Sequence, residues 1–232
     1  MTLQHSSAYA TTAGVPVRPQ VPPRPQASAR PRLGATAPVL RDLRDRAGRS
    51  PRSLLFAAGD VVVVSGLPGS GKSTLIRRAA SGSRIDSQDA RDRWALRMPR
   101  FLPYAVYRPF VRYSHYAGLR RALRSGESVV VHDCGTQAWV RRWLAREARR
   151  RGSNLHLVLL DVPPQVARQG QMERGRGVSG YAFARHRRAT SRLIADAESG
   201  RLPSGCTSAV LLDRSAAAGL ASVRFTATEA AG

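Results

Sequence analysis

Acidic residues, cysteine and lysine are all scarce in this chain. Its 15 Asp and Glu stand against 38 basic residues, for a net charge of +23 over 232 residues. Only one of those 38 is a lysine, Lys72, and the other 37 are arginines. Arg in place of Lys, beside abundant Ala, is the mark of GC-rich codon usage. Whatever its origin, the surplus charge favours phosphate-rich partners. Two cysteines, Cys134 and Cys206, make neither a disulfide framework nor a metal-thiolate cluster, so a reducing cytoplasm is the expected setting. No run approaches the ~18–20 uninterrupted apolar residues of a membrane-spanning helix. The acid-poor start has transit-peptide composition but lacks the apolar core of a secretory signal. No internal repeat is visible.

What is present divides the chain in two. Residues 1–57 read as a disordered, Arg/Pro-rich tail. Eight of the fifteen prolines fall there, nine arginines oppose only Asp42 and Asp45, and no apolar period is sustained. Such a segment buries too little surface to offset its ordering entropy. One short helix near Val39–Arg46 is the local structure expected in it, and its charge suits nucleic acid or another polyanion. From Gly59 the texture changes. Val61-Val62-Val63-Val64 is a β-branched run suited to a strand buried on both faces of a parallel sheet. Further strand candidates are Ser128–Val131, Leu155–Leu160, Ala209–Leu212 and the weaker Val223–Phe225. Helix-length segments lie between them: Ser73–Ala80, Tyr104–Arg124, Thr136–Arg151, Pro163–Glu173 and Tyr181–Ser199. This alternation predicts one α/β domain over residues 58–228.

Directly after the first buried run comes Gly66-Leu67-Pro68-Gly69-Ser70-Gly71-Lys72-Ser73-Thr74. This is G-x-x-x-x-G-K-[ST] between a strand and a helix, the context in which that spacing cradles phosphate. The glycines let consecutive backbone N–H groups converge on an anion, and the following helix adds its positive end. Lys72, taken as solvent-facing, would reach the β- and γ-phosphates, and Ser73 would ligate Mg²⁺. A chain that writes every other cation as Arg keeps a compact ammonium at this one place. The expected ligands are therefore ATP and Mg²⁺. A guanine-selecting Asn-Lys-x-Asp is excluded because Lys72 is the only lysine. No transporter signature and no Asp-Glu pair at a strand end is present, and the chain is too short for a ring ATPase lid domain.

With those pieces the sequence resembles the P-loop kinases of the polynucleotide 5′-kinase and zeta-toxin group, which include small bacterial AAA-family ATP-binding proteins. The resemblance spans roughly residues 60–215 and rests on four elements in order: the loop Gly66–Thr74, Ile85–Arg91, Val129–Asp133, and Leu160–Pro163 followed by Arg174-Gly175-Arg176. It implies a three-layer α/β/α sandwich around a mainly parallel five-stranded sheet in the order 2-3-1-4-5. It also implies transfer of the γ-phosphoryl of ATP to a hydroxyl, with Arg174 as a lid residue and Arg91 beside an acidic base. Aligning Arg91 with the family's Arg sets Gln88 where that base stands. The role then falls to Asp89 or Asp86, or the protein binds ATP without efficient transfer. Asp133, at a strand end, reads either as a second Mg²⁺ group beside Ser73 or as a cap of the next helix. The acceptor is open between a nucleic acid 5′ end, a nucleoside and a sugar alcohol. Its expected place is between the second and third strands, where Trp94, Phe101, Tyr104, Tyr107, Phe110, Tyr113 and Tyr116 alternate with arginines. The alternative class is an ATP-dependent regulatory or nucleic-acid-associated ATPase.

Overall fold

Strand and helix alternate along the residues described by the computed structural model, which are 39–226 except 47–48, 81–82, 86–92, 95, 100–101, 134–136 and 176. Two strands come first, β1 (Val39–Asp42) and β2 (Ser53–Ala57). The wholly buried β3 (Val61–Gly66) leads into helix α1 (Lys72–Ala79). Next are β4 (Ser83–Ile85), α2 (Tyr104–Arg124), β5 (Val129–His132) and α3 (Ala138–Arg150). Then follow β6 (Leu155–Leu160), α4 (Pro164–Met172) and α5 (Gly180–Glu198), and β7 (Ser208–Leu212), α6 (Arg214–Gly219) and β8 (Ser222–Thr226) close the series.

Six strands form one parallel sheet in the order β1-β7-β6-β3-β5-β4. Counted from β3, the five strands other than β1 have the expected order 2-3-1-4-5. This is a P-loop NTPase-like α/β fold. The valine run explains the layering, because successive side chains of a strand point to opposite faces. Val61 and Val63 pack with Leu119 of α2, Leu144 of α3 and Leu193 of α5. Val62 and Val64 pack with Leu75 and Ile76 of α1 and Ala216 of α6. Both faces of β3 are covered, so each valine stabilises the fold by about 1.5–3 kcal/mol of burial.

The stretch expected as a tail contributes two strands, and no helix stands at Val39–Arg46. β1 extends the main sheet, Val39 through Asp42 lying opposite Ser208 through Leu211. β2 pairs with β8 in a separate two-stranded parallel sheet. The physical reason is two leucines: Leu43 is 3% and Leu54 0% exposed, and both join the cluster around Val62. β1 has no buried residue of its own and β2 has one, so neither leaves a period to read. Leu54→Ala is expected to cost about 2–5 kcal/mol, whereas Leu55→Ala, on the exposed side of the same strand, should stay within about 0.5 kcal/mol. Urea unfolding of the two variants checks this, and equal losses would contradict the assignment of β2 to the core.

Arg44 fastens β1 to the rest. Its guanidinium pairs with Asp42 at 2.6 Å, with Asp161 after β6 at 2.7 Å and with Glu198 at the end of α5 at 2.7 Å. The hydrogen bond from Arg44 is the main cause holding the Asp42 carboxyl below its ordinary value, against burial. Burial would raise Asp213, but N–H groups of Ala216 and Asp45 outweigh it and hold that carboxyl low as well. A carboxyl depressed by folding contributes stability above its unfolded-state pKa and loses it as pH falls through the folded value. The attachment of β1 should therefore loosen below about pH 4. Amide-exchange protection at Leu43 and Asp45 is expected to fall between pH 5 and pH 3 ahead of that in β3. A simultaneous fall throughout the sheet would contradict it.

Candidate active site

The Gly-rich loop occupies the turn from β3 into α1, at the carboxyl ends of the parallel strands, where open α/β sheets hold their ligands. Gly69 has φ +87°, and a Cβ there would run into the carbonyl oxygen of Ala167 and come within 2.8 Å of Gln171 Cγ. Only glycine lets α4 pack this closely against the loop. Gly71, the N-cap of α1, is left-handed at φ 95°, and no side chain caps the helix. Its first-turn N–H groups are thus positioned for an anion rather than spent on a cap. Ser70 Oγ is buried without a hydrogen-bond partner, an orphan that a phosphate oxygen would satisfy.

Lys72 departs from expectation. It is 4% exposed rather than solvent-facing, and its Nζ donates to the carbonyls of Gly66 at 2.8 Å and Leu67 at 2.6 Å. The loop curls its own carbonyls around the ammonium, so the charge is held inside the cradle. Ser73 is buried beside it, while Thr74 is exposed.

A cavity of about 220 Å³ adjoins the loop, lined by Ser70, Gly71, Thr74, Glu173, Arg174 and Arg214 among others. The structure thereby brings Arg174, exposed on the turn after α4, to the same cavity as the loop. Arg78 closes another wall and donates to the carbonyls of Ala217 at 2.6 Å and Leu220 at 3.0 Å, tying α1 to α6. Neither Arg78 nor Arg214 stood out in the sequence. Arg214 had a usable signal, since it follows the apolar run Ala209–Leu212 at the ligand-bearing edge of the sheet.

Asp133 follows β5, its N–H donating to the Val64 carbonyl at 2.9 Å, which sets it beside the end of β3. Its carboxylate is paired with Arg141 of α3 at 2.9 Å, both side chains being 7% exposed. The α3 N-cap is Gln137, so Asp133 does not cap that helix. Nothing distinguishes Arg141 among 37 arginines in the sequence. Asp86, Gln88, Asp89 and Arg91 lie outside the described residues, as do Cys134 and Arg176. The strand before the first four, β4, ends with Ile85 opposite Val131, hence at the edge that holds Asp133. Burial pushes the Cys206 thiol up to about 12, which leaves it protonated and unreactive at neutral pH. Among the described residues no group of three or more His, Cys, Asp or Glu could hold a metal, and no helix is long and apolar enough to cross a membrane.

The family model described as an AAA domain matches residues 61–198, more than half of the chain. No curated protein matches it in sequence. Among solved structures it is similar to a gluconokinase from Sinorhizobium meliloti, at 20% identity over 70% of this chain and 92% of that one, with a TM-score of 0.37. It is also similar to the tunicamycin resistance protein of Deinococcus radiodurans, at 17% identity over 55% of this chain and 78% of that one, with a TM-score of 0.36. A third similarity is to the PezAT toxin–antitoxin system of Streptococcus pneumoniae, at 15% identity over 55% of this chain and 53% of that one, with a TM-score of 0.42.

Proposed function

The chain belongs to the AAA domain family, and from that premise we propose that it is an ATP-dependent phosphotransferase acting on a hydroxyl acceptor. The observation that carries this reading is the loop itself: an uncapped helix start, an orphan Ser70 hydroxyl and a buried Lys72 converge on one small cradle. Lys72 exchanges its two carbonyl partners for β- and γ-phosphate oxygens, which form stronger, charge-assisted bonds. Ser73 and Asp133 would hold Mg²⁺, which would supply positive charge to offset that of the phosphates. Arg174, on its exposed turn, meets the γ-phosphoryl as charge develops on it. Asp89 or Asp86 accepts the proton of the acceptor hydroxyl as its oxygen bonds to phosphorus and the bond to ADP breaks. The order of the four motifs supports a likeness to the polynucleotide 5′-kinase and zeta-toxin group. The acceptor then belongs to nucleic acid 5′ ends, nucleosides or sugar alcohols, in the cytoplasm.

Two observations favour a second reading. Gln88 stands where an acid is expected, and the Asp133 carboxylate is already neutralised by Arg141. Both fit an ATP-dependent regulatory or nucleic-acid-associated ATPase without efficient transfer. The two readings share the loop, so its test is common to both. Titration calorimetry in Mg²⁺ should show ATP binding at least tenfold tighter than AMP, because the loop groups meet the β- and γ-phosphates. Equal affinities would refute the cradle.

A further inference from the structure

The aromatic segment between β4 and β5 serves two ends. Tyr107 is buried and packs with Val111, Trp94 and Met98, which makes it core. Tyr113 and Tyr116 instead line a groove between α2 and α3 together with Trp139 and Trp143, two residues outside that segment. Tyr116 holds this aromatic pad together. Its ring lies 5.3 Å from Trp139 and 6.4 Å, edge-on, from Trp143, and its hydroxyl donates to Gln137 Oε1 at 2.6 Å. Tyr113 and Trp139 nevertheless remain 77% and 49% exposed. Packing between the helices accounts for Tyr116 and Trp143 but not for these two.

The whole groove is about 960 Å³ in volume, and five exposed arginines also line it: Arg120, Arg121, Arg124, Arg142 and Arg146. Along α2 Tyr113 and Tyr116 precede Arg120, Arg121 and Arg124, and along α3 Trp139, Arg142, Trp143 and Arg146 alternate at helical spacing, so ring faces and guanidinium groups line the same groove. The single acid in the lining, Glu147, is taken up by Arg150 at 2.9 Å. Among the described residues none of the five arginines has a carboxylate partner. GC-rich codons account for abundant Arg; they do not gather four aromatic rings beside it. We propose that this groove is a docking surface for single-stranded nucleic acid, with Tyr113 and Trp139 stacking bases and the five arginines holding phosphates. A partner with carboxylates alone would use only the arginines, whereas a base uses the exposed ring faces as well. None of these residues lines the cavity at the Gly-rich loop, so the inference is independent of the triphosphate reading.

The test is fluorescence anisotropy of the full chain, without nucleotide, against a labelled deoxythymidine 12-mer and an abasic 12-mer of equal charge. Trp139→Ala should weaken the thymidine strand about tenfold and leave the abasic strand unchanged, and Tyr113→Ala should act in the same direction. A triple variant, Arg120→Gln, Arg142→Gln and Arg146→Gln, should lower the salt slope by about 2. The control triple on α5, Arg185→Gln, Arg188→Gln and Arg192→Gln, removes equal charge and should change it little. Lys72→Met should leave oligonucleotide binding intact, which separates failure of this inference from failure of the nucleotide site. Equal effects of the two triples, equal losses for the two strands on Trp139→Ala, or binding to phosphatidylserine vesicles but not to the 12-mer would overturn the proposal.

Discussion

Replacing Arg174 by Ala is expected to lower kcat by roughly 10³–10⁵-fold, while ATP affinity changes by less than about tenfold. The asymmetry follows from where the residue sits. Arg174 lies on an exposed turn, completed by the left-handed Gly175 at φ +60°, and lines the cavity beside Ser70 and Gly71. A side chain so placed uncovers no core when removed, so stability should stay within about 0.5 kcal/mol. Its contribution falls in the transition state, where charge spreads over the transferring phosphoryl, and only interactions stronger there than in the ground state raise kcat. Steady-state kinetics with each proposed acceptor, alongside ATP calorimetry, separates the two terms. A variant that loses affinity and kcat in equal measure would make Arg174 a ground-state contact. A variant matching the parent in both would favour the regulatory ATPase.

Lys72→Ala is expected to weaken ATP binding by roughly 10- to 150-fold, the worth of a hydrogen bond to a charged group. Unlike Arg174, it carries a stability penalty. The Gly66 and Leu67 carbonyls lose a buried donor held at 2.8 and 2.6 Å, which costs about 1–3 kcal/mol. Urea unfolding beside ATP titration separates that loss from the binding loss. The sharper variant is Lys72→Arg. It preserves charge, and 37 arginines elsewhere show that the chain readily uses the residue. A planar, forked guanidinium does not fit a cradle sized for a compact ammonium, so Lys72→Arg should bind ATP about as poorly as Lys72→Ala. Parent-like affinity in Lys72→Arg would mean that charge alone matters at this position.

The inner sheet was legible because its strands are buried on both faces. Leu155–Leu160 and Tyr104–Arg124 have the predicted bounds, and α1 begins one residue early, at Lys72. The loop was legible because its glycines and lysine have fixed offsets. Residues 39–57 were not, since β1 is largely exposed and β2 depends on Leu54 alone. The proline-rich stretch before them masked a strand held by main-chain pairing and by the reach of Arg44 to Asp161 and Glu198. These contacts span more than a hundred residues and leave no local trace. Asp133 was found at its strand end, but its partner Arg141 was invisible against the arginine background. The same background hid Arg78. In the groove, Trp139 and Trp143 are separated in sequence from the aromatic segment that they complete, and only the packing of α2 beside α3 joins them.

Transfer of a phosphoryl group to a hydroxyl is decided by following the γ-phosphorus. The full chain is incubated with γ-labelled ATP, Mg²⁺ and, in separate reactions, 5′-hydroxyl oligonucleotides, nucleosides and sugar alcohols. A kinase should put label on one acceptor class, form one ADP for each labelled acceptor, and lose both products in the Arg174→Ala protein. Label released only as inorganic phosphate, at a rate that no acceptor and no Arg174 substitution alters, would contradict it.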